Sequence, residues 1–471
     1  MGVVFLSLVF YNFIMKIDEG IFKSYDIRGV FPDQLNYDVA LAIGRAFADL
    51  ITDSGPIAVG RDMRLSSPEL SKAVIKGITM QGRDVVDLGL ITTDMIYFAA
   101  GNYSFAGGVM VTGSHIPPQY NGFKLCKKNA VPLSIKGDIH KMRDDILKDN
   151  FKKVEKKGTV NKKDVLSDWL DHALSFIDVK KIKPLKVVVD ASNGMGSILF
   201  EGLKKKLPLE IIPLYFELDG SFPNHLPAPL VPENLEDAQK KVLEEKADLG
   251  LVFDGDGDRV VLIDEKGESL RGTILTAMIA ESFLNKNKGA TILYNAICGW
   301  IVPEVIKKGG GKGIRVTVGH GLIKENMRKH NALFAGEHSG HYFFKDNWNA
   351  DSALITTLIA LEIICSSNKK LSEIVERFNK YEASGEINFK VDDKQKAMDE
   401  IEKSYKDKAE SIDKLDGVSI WFKDWWFNLR PSNTEPLLRL NIEAKTEGLL
   451  KSSQKELIDL IQRYGTLLAG E

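Results

Sequence analysis

The sequence predicts an α/β protein built of three related α/β units followed by a smaller α+β unit. Three observations lead there. A strand, loop and helix order recurs three times between Ile57 and Ser366, the grammar of layered α/β structure. The 471 residues exceed one core, since domains hold ~100–200 residues each. Beyond about Ser372 the composition turns more charged and no nucleotide-type glycine loop follows.

Each element follows from its pattern. "IAVGRD" is a short apolar strand entering a polar loop, and "PELSKAVIKGITMQG" has helical spacing that stops at Gly82. "DVVDLG", "TDMIYFAAGNY" and "AGGVMVT" continue as strand, helix and strand, while the charged stretch Lys148–Lys163 reads as a solvated linker. The order restarts at "KPLKVVVDASNGMGS", then the helix "NLEDAQKKVLEEK" and the strand "ADLGLVFD". A third round holds "GTILTAMIAESFLN", "ATILYNA", "GIRVTVGHG" and "NALFAGEHSGH", and closes on the apolar helix "DSALITTLIALEIICS". The last unit shows two strand-like runs around "RPSNTEP". The expected units are 15–150, 151–265, 266–372 and 373–471. The shared order is not sequence repetition.

Lysine plus arginine (63) nearly balances aspartate plus glutamate (65), so no global field points to nucleic acid or membrane. Anionic ligands must be held by local clusters. Three scattered cysteines (Cys126, Cys298, Cys365) fit a reducing cytoplasm and argue against disulfides or a cysteine metal site. The opening run Met1–Ile14 is apolar and uncharged, but shorter than the ~20 residues of a bilayer span. It lacks the basic region and cleavage site of a secretory signal. The expectation is a start codon assigned upstream of Met15, with a membrane-associated extension as the alternative.

"DGDGDR" is the sharpest motif. Asp254, Asp256 and Asp258 follow an apolar strand and alternate with glycines. Like charges so close repel unless a cation neutralises them, and the glycines free the backbone to gather them. Oxygen-only ligands suit a hard divalent ion, Mg²⁺ first. An EF-hand is ruled out because its sixth position is Arg259 instead of glycine and its flanks are strands. Arg259 suits an anionic ligand or an internal ion pair.

"RPSNTEP" offers Arg430, Ser432, Asn433 and Thr434, a set able to surround a phosphate; a plain turn is the equal alternative. In "GEHSGH", Glu337 and Ser339 alternate and so face one side of an extended loop, which suits a polyol. A metal site from Glu337, His338 and His341, or a helix-capping loop, competes. "VTVGHGLIKENM" places Gly319, His320 and Lys324, and "FKSYDIRGV" places Tyr25 and Arg28, on turns unremarkable singly. "VMVTGSHIPPQYNGFKL" ends a buried strand on Ser114 and His115 before two prolines. A metal loop, a phosphate loop, a polyol loop and an exposed serine together make an inventory for moving phosphoryl groups on a sugar. A phosphoserine would bring about −1.5 to −2 charges and a further metal ligand.

From about Met15 the chain resembles the α-D-phosphohexomutase superfamily, and within it the phosphomannomutase/phosphoglucomutase group. The likeness rests on "YDIRG", "TGSHIPPQYNGFK", "DGSFPNHLPAPLVPENL", "DGDGDR", "GHGLIK", "GEHSGH" and "RPSNTEP", in that order. The resemblance implies three related α/β domains plus a C-terminal domain like TATA-binding protein, around a central cleft. It implies Ser114 as the phosphoserine, and Asp254, Asp256 and Asp258 with one phosphoserine oxygen as ligands of Mg²⁺. Glu337 and Ser339 would take the sugar's O3 and O4, and Arg430, Ser432, Asn433 and Thr434 the non-reacting phosphate. Tyr25, Arg28, His115, Lys124, Arg259, His320 and His341 would line the cleft, with Lys124 and His115 the candidates for proton transfer. Ile116 departs from the asparagine usual there, which bears on loop geometry.

The expected reaction interconverts hexose 1- and 6-phosphates through a 1,6-bisphosphate that turns over in the cleft, with hinge motion near Ser372–Ser384. A hexose 1,6-bisphosphate activator is implied by the family's chemistry. Glucose and mannose differ only at C2, so use of both is expected, in a monomer or weak homo-oligomer. A phosphoglucosamine mutase is the close alternative. A non-catalytic sugar-phosphate-binding protein and a metal-dependent phosphatase are alternatives of other classes.

Overall fold

A computed structural model describes residues 17–23, 26–432 and 437–468. Met1–Ile14, Tyr25, Asn433 and Thr434 lie outside the described residues.

Four sheets organise the described residues. In the first, Val85–Leu90, Ile57–Arg61 and Gly107–Val111 run parallel, and Tyr120–Lys127 returns antiparallel beside the last of them. Ile27–Val30 forms the edge against Tyr120–Lys127. The second sheet sets Leu209–Leu214, Leu185–Asp190 and Leu249–Phe253 parallel, with Val260–Asp264 returning antiparallel. The third sets Lys312–Val316, Thr291–Asn295 and Phe334–Gly336 parallel, with Tyr342–Phe344 returning. Gly107–Val111 and Leu249–Phe253 are buried at every residue, as covered parallel strands require. In all three sheets the final parallel strand therefore ends in a hairpin turn to an antiparallel neighbour. Those turns, 112–119, 254–259 and 337–341, carry three of the predicted motifs. The fourth sheet is antiparallel, and the fourth motif falls in the sequence between its strands Trp425–Pro431 and Leu437–Ala444. Ligand sites at the carboxyl ends of parallel strands are the rule for open α/β sheets.

One apolar core runs through the first three units, from Ala58 to Phe378. The helix Ala353–Ser367 crosses it, mostly apolar and buried over nearly its whole length, and is capped by Ser352, whose Oγ accepts from the Ile355 N–H at 3.1 Å. The last unit keeps a separate core, Phe389 to Ile461. The chain passes between the two from Phe378 to the strand Glu382–Val391.

Two local features differ from expectation. Within the stretch read as a linker, Val160–Lys162 pairs in parallel with Val85–Leu90. All three residues are exposed, so backbone hydrogen bonding holds them and no apolar alternation marks them. The motif Gly319–Lys324 enters a helix, His320–His330, with Gly319 at φ 133° as its N-cap; that backbone conformation favours glycine.

A buried carboxylate ties the first unit to the third. Asp94 accepts hydrogen bonds from the hydroxyls of Thr92 and, at 2.7 Å, Ser352. Burial pushes its pKa up to about 7 despite those donors. The folded state thus binds a proton that the unfolded chain releases near pH 4, and stability falls as pH rises through about 7. Asp94→Asn should remove this slope. Between pH 5 and pH 8 the wild type should lose Tm relative to the variant, read by thermal unfolding; parallel profiles would refute it. Among the described residues no helix is long and apolar enough to cross a membrane.

Candidate active site

The three hairpin turns meet. Ser114 is buried and has φ 50°, a left-handed conformation uncommon outside glycine and typical of functional turns. Its N–H donates to Thr112 Oγ1 at 2.8 Å. Its hydroxyl donates to Asp254 Oδ2 at 2.9 Å, across from the second unit, and accepts from Arg259 Nη2 at 3.1 Å. His115 Nδ1 lies 3.3 Å from the same hydroxyl and is also bonded to Arg259 Nη2.

Asp254, Asp256 and Asp258 are fully buried and offer ligand oxygens within 4.8 Å of one another. Gly257, at φ 71°, lets the turn double back where a Cβ would lie 2.9 Å from Thr92 Cγ2. Asp254 accepts from the backbone N–H groups of Asp258 and Arg259, both at 3.1 Å. Thr93 donates to Asp256 Oδ2 at 2.5 Å. Lys124 Nζ reaches Asp256 at 2.8 Å and is bonded to Asp258. The Oδ1 atoms of Asp256 and Asp258 are buried without hydrogen-bond partners. Three buried carboxylates with oxygens this close together, two of those oxygens unpartnered and no sulfur among them, fit a hard divalent cation.

Burial, then Asp258 and Asp256, raises the Asp254 pKa well above the carboxylate range. For Lys124, burial opposes the charge but Asp256 and Asp258 outweigh it, and its pKa is raised. Burial and the neighbouring Arg259 and Arg28 guanidinium groups hold His115 well below its usual pKa, so the imidazole is neutral at pH 7. His320 is likewise depressed by burial and by Lys324 and Lys124. Arg28 pairs with Asp26 at 2.7 Å on the edge strand facing Gly122.

The third turn faces the second. Glu337 Oε1 accepts from the Gly319 N–H at 3.2 Å, while Oε2 lies 3.1 Å from His341 Nδ1 and 3.5 Å from Ser339 Oγ. His341 Nε2 is 3.6 Å from Asp258 Oδ1. Burial and Arg259 disfavour charge on His341, but its contacts with Asp258 and Glu337 push its pKa up to about 9. Lys324 is buried, paired with Asp351 Oδ1 at 2.6 Å and 3.5 Å from the Tyr97 ring centre. From the last unit, Arg430 is buried with Nη2 2.6 Å from Glu386 Oε2, while Arg439 reaches Oε1 at 3.1 Å. His338 lies 3.7 Å from Glu386. Ser432 is buried beside Arg430, its N–H on Leu437 O at 2.8 Å.

No motif points to Glu386, Asp62 or Arg64. The last two occupy a polar loop directly after the apolar strand Ile57–Arg61. That setting, shared with the other site loops, is the one signal the sequence carries for them.

A buried serine against a carboxylate trio, with cations and a polyol-grade turn around it, defines an enzyme of the intramolecular phosphotransferase class. Residues 19–153, 167–267, 271–381 and 386–460 match, in order, Phosphoglucomutase/phosphomannomutase alpha/beta/alpha domains I, II and III and the C-terminal domain. The chain belongs to the phosphoglucomutase/phosphomannomutase family, within the α-D-phosphohexomutase superfamily. It is 40% identical over 443 residues to a protein of Xanthomonas campestris pv. campestris named "Phosphohexose mutases", covering 94% of this chain and 99% of that protein. It is 37% identical over 449 residues to the "Phosphomannomutase" of Escherichia coli (strain K12), covering 93% and 98%. A crystal structure of a phosphoglucomutase/phosphomannomutase family protein from Burkholderia thailandensis superposes with a TM-score of 0.87 at 33% identity, over 96% of this chain and all of that one.

Proposed function

We propose that this chain is a phosphohexomutase that interconverts the 1- and 6-phosphates of mannose and of glucose. The observation that carries the reading is the Ser114 hydroxyl, 2.9 Å from Asp254 across two units. Ser114 carries the phosphoryl group. Its P–O bond breaks as one forms to the sugar's O6 or O1, the hydroxyl proton passing to the neutral His115 imidazole, while Lys124, kept protonated by Asp256 and Asp258, supplies positive charge beside the transfer. The resulting 1,6-bisphosphate turns over, and its other phosphoryl group returns to Ser114 with the proton reversed. Asp254, Asp256 and Asp258 with a phosphoserine oxygen would hold Mg²⁺, which would supply charge neutralisation at the transferring phosphoryl group. Arg259, 3.1 Å from Ser114 Oγ, and Arg28 make the wall electropositive, and the neutral His320 lines it. Glu337 and Ser339 take O3 and O4, and His341 and the Gly319 N–H orient Glu337. Lys324 backs the wall through Asp351. Arg430 and Ser432 grip the distal phosphate; Asn433 and Thr434 are assigned to the same phosphate, and Tyr25 to the cleft, by the family resemblance alone.

A hexose 1,6-bisphosphate serves as activator, recharging Ser114 when it is empty. The working form is a monomer or weak homo-oligomer in the cytoplasm, a reading supported by three free, buried cysteines.

The test compares kcat/KM on the 1-phosphates of mannose, glucose and glucosamine. A grip on O3 and O4 ignores C2, so mannose and glucose should agree within about tenfold, the scale of one ungripped group. A clear preference for the amino sugar would overturn the assignment.

A further inference from the structure

Arg64 takes no part in the reaction just described, yet its side chain is fully buried. Its guanidinium gathers four carbonyls of the serine turn. Nη2 donates to Ser114 O at 2.8 Å and Ile116 O at 2.5 Å; Nη1 donates to Pro117 O at 2.8 Å and Tyr120 O at 3.0 Å. Asp62 approaches Nε at 3.4 Å, and the same Asp62 oxygen accepts from the Gly113 N–H at 3.3 Å. The guanidinium lies so close to the chain before Ser114 that a Cβ at Gly113 would sit 2.4 Å from Arg64 Cζ. From the second unit, the Phe222 ring centre is 5.0 Å from Cζ, and a Cβ at Gly220 would sit 2.4 Å from Arg64 Cα.

Taking a guanidinium out of water is costly unless its donors are met. Here they are met mainly by backbone carbonyls at Ser114 and in the residues that follow it, in a fork geometry that lysine cannot copy. All four partners are main-chain atoms, so the contact does not depend on the side chain at Ile116.

We propose that Arg64 is the positioning residue of the serine turn. It fixes where Ser114 Oγ stands against Asp254 and, through Phe222, links that placement to the unit bearing the carboxylates. The proposal rests on Ser114 as phosphoryl carrier, and it deepens that reading.

The test is steady-state kinetics of Arg64→Lys and Arg64→Ala with fold checked by circular dichroism. A misplacement near 1 Å costs on the order of 10²-fold in rate, so kcat should fall by about that much. Arg64 does not touch substrate, so KM should move by less than about threefold. Millimolar guanidinium ion should restore kcat of Arg64→Ala by about tenfold or more, and should leave the wild type and Ser114→Ala unchanged. A folded Arg64→Lys within about twofold of wild-type kcat, or a KM change matching the kcat loss, overturns the proposal. So does absence of rescue in a folded Arg64→Ala. If Arg64→Ala does not fold, the lysine variant decides by its kcat and KM. If neither folds, Arg64 is a structural residue and the proposal is overturned. Wild-type protein without a phosphoryl group, together with an active Ser114→Ala, would instead defeat the reading of Ser114 and leave the Arg64 kinetics standing alone.

Discussion

Ser114→Ala should fold and turn over at least about 10⁴-fold more slowly than wild type, the scale seen when a nucleophile acting as a unit with its partners is removed. The fold should survive because Asp254 keeps two backbone donors and its ion pair with Arg259 at 3.2 Å. Thr112 Oγ1 still receives the residue-114 N–H. Alanine at φ 50° is strained as serine is, so the backbone cost is similar in both. Losing the hydroxyl's two hydrogen bonds, to Asp254 and from Arg259, removes about 1.5–3 kcal/mol each at most, small against a large shared core. Intact-mass measurement should find a phosphoryl group on wild-type protein incubated with glucose 1,6-bisphosphate and none on the variant. An active variant, or one that still gains the mass, would defeat the mechanism.

Asp256→Asn should be the second most damaging change. Asp256 sits among three buried carboxylates, and two of their oxygens, its own Oδ1 and that of Asp258, lack hydrogen-bond partners. Asparagine keeps the shape and an acceptor for Thr93 but removes one charge from a site that answers to a divalent ion. Lewis-acid stabilisation is worth several kcal/mol, so kcat should drop by roughly 10²–10⁴-fold. Millimolar Mg²⁺ should raise the Tm of chelator-treated wild type, because an ion that binds only the folded state adds about 2.7 kcal/mol at a hundred times its Kd. The variant should show little or no such rise. Equal Mg²⁺-dependent shifts in both proteins would place the ion elsewhere.

Much of this was legible beforehand, for identifiable reasons. Alternation of apolar strands and amphipathic helices is a local pattern, and the α/β units follow from it. "DGDGDR" announced itself because three adjacent acids have no comfortable bland explanation. Contacts distant in sequence were not legible. Arg64 meets carbonyls about fifty residues away, and a lone arginine in a polar loop carries no mark of that. Glu386 lies in a strand, and its pairing with Arg430 depends on the fourth sheet closing. The edge strand Val160–Lys162 was hidden because main-chain pairing is indifferent to side-chain type. The common hairpin position of the site turns was equally invisible, being a property of strand order.

The last unit owns its interior, and its seam with the third unit is largely polar. Arg315 meets Asp413 and Ser419, Asp416 receives the Val318 N–H, and Glu443 receives the Trp300 N–H. Water can replace each such contact at little net loss. Should the last unit loosen along that seam, a sugar bearing two phosphates would be let go at one end and caught again at the other while both oily interiors stay dry.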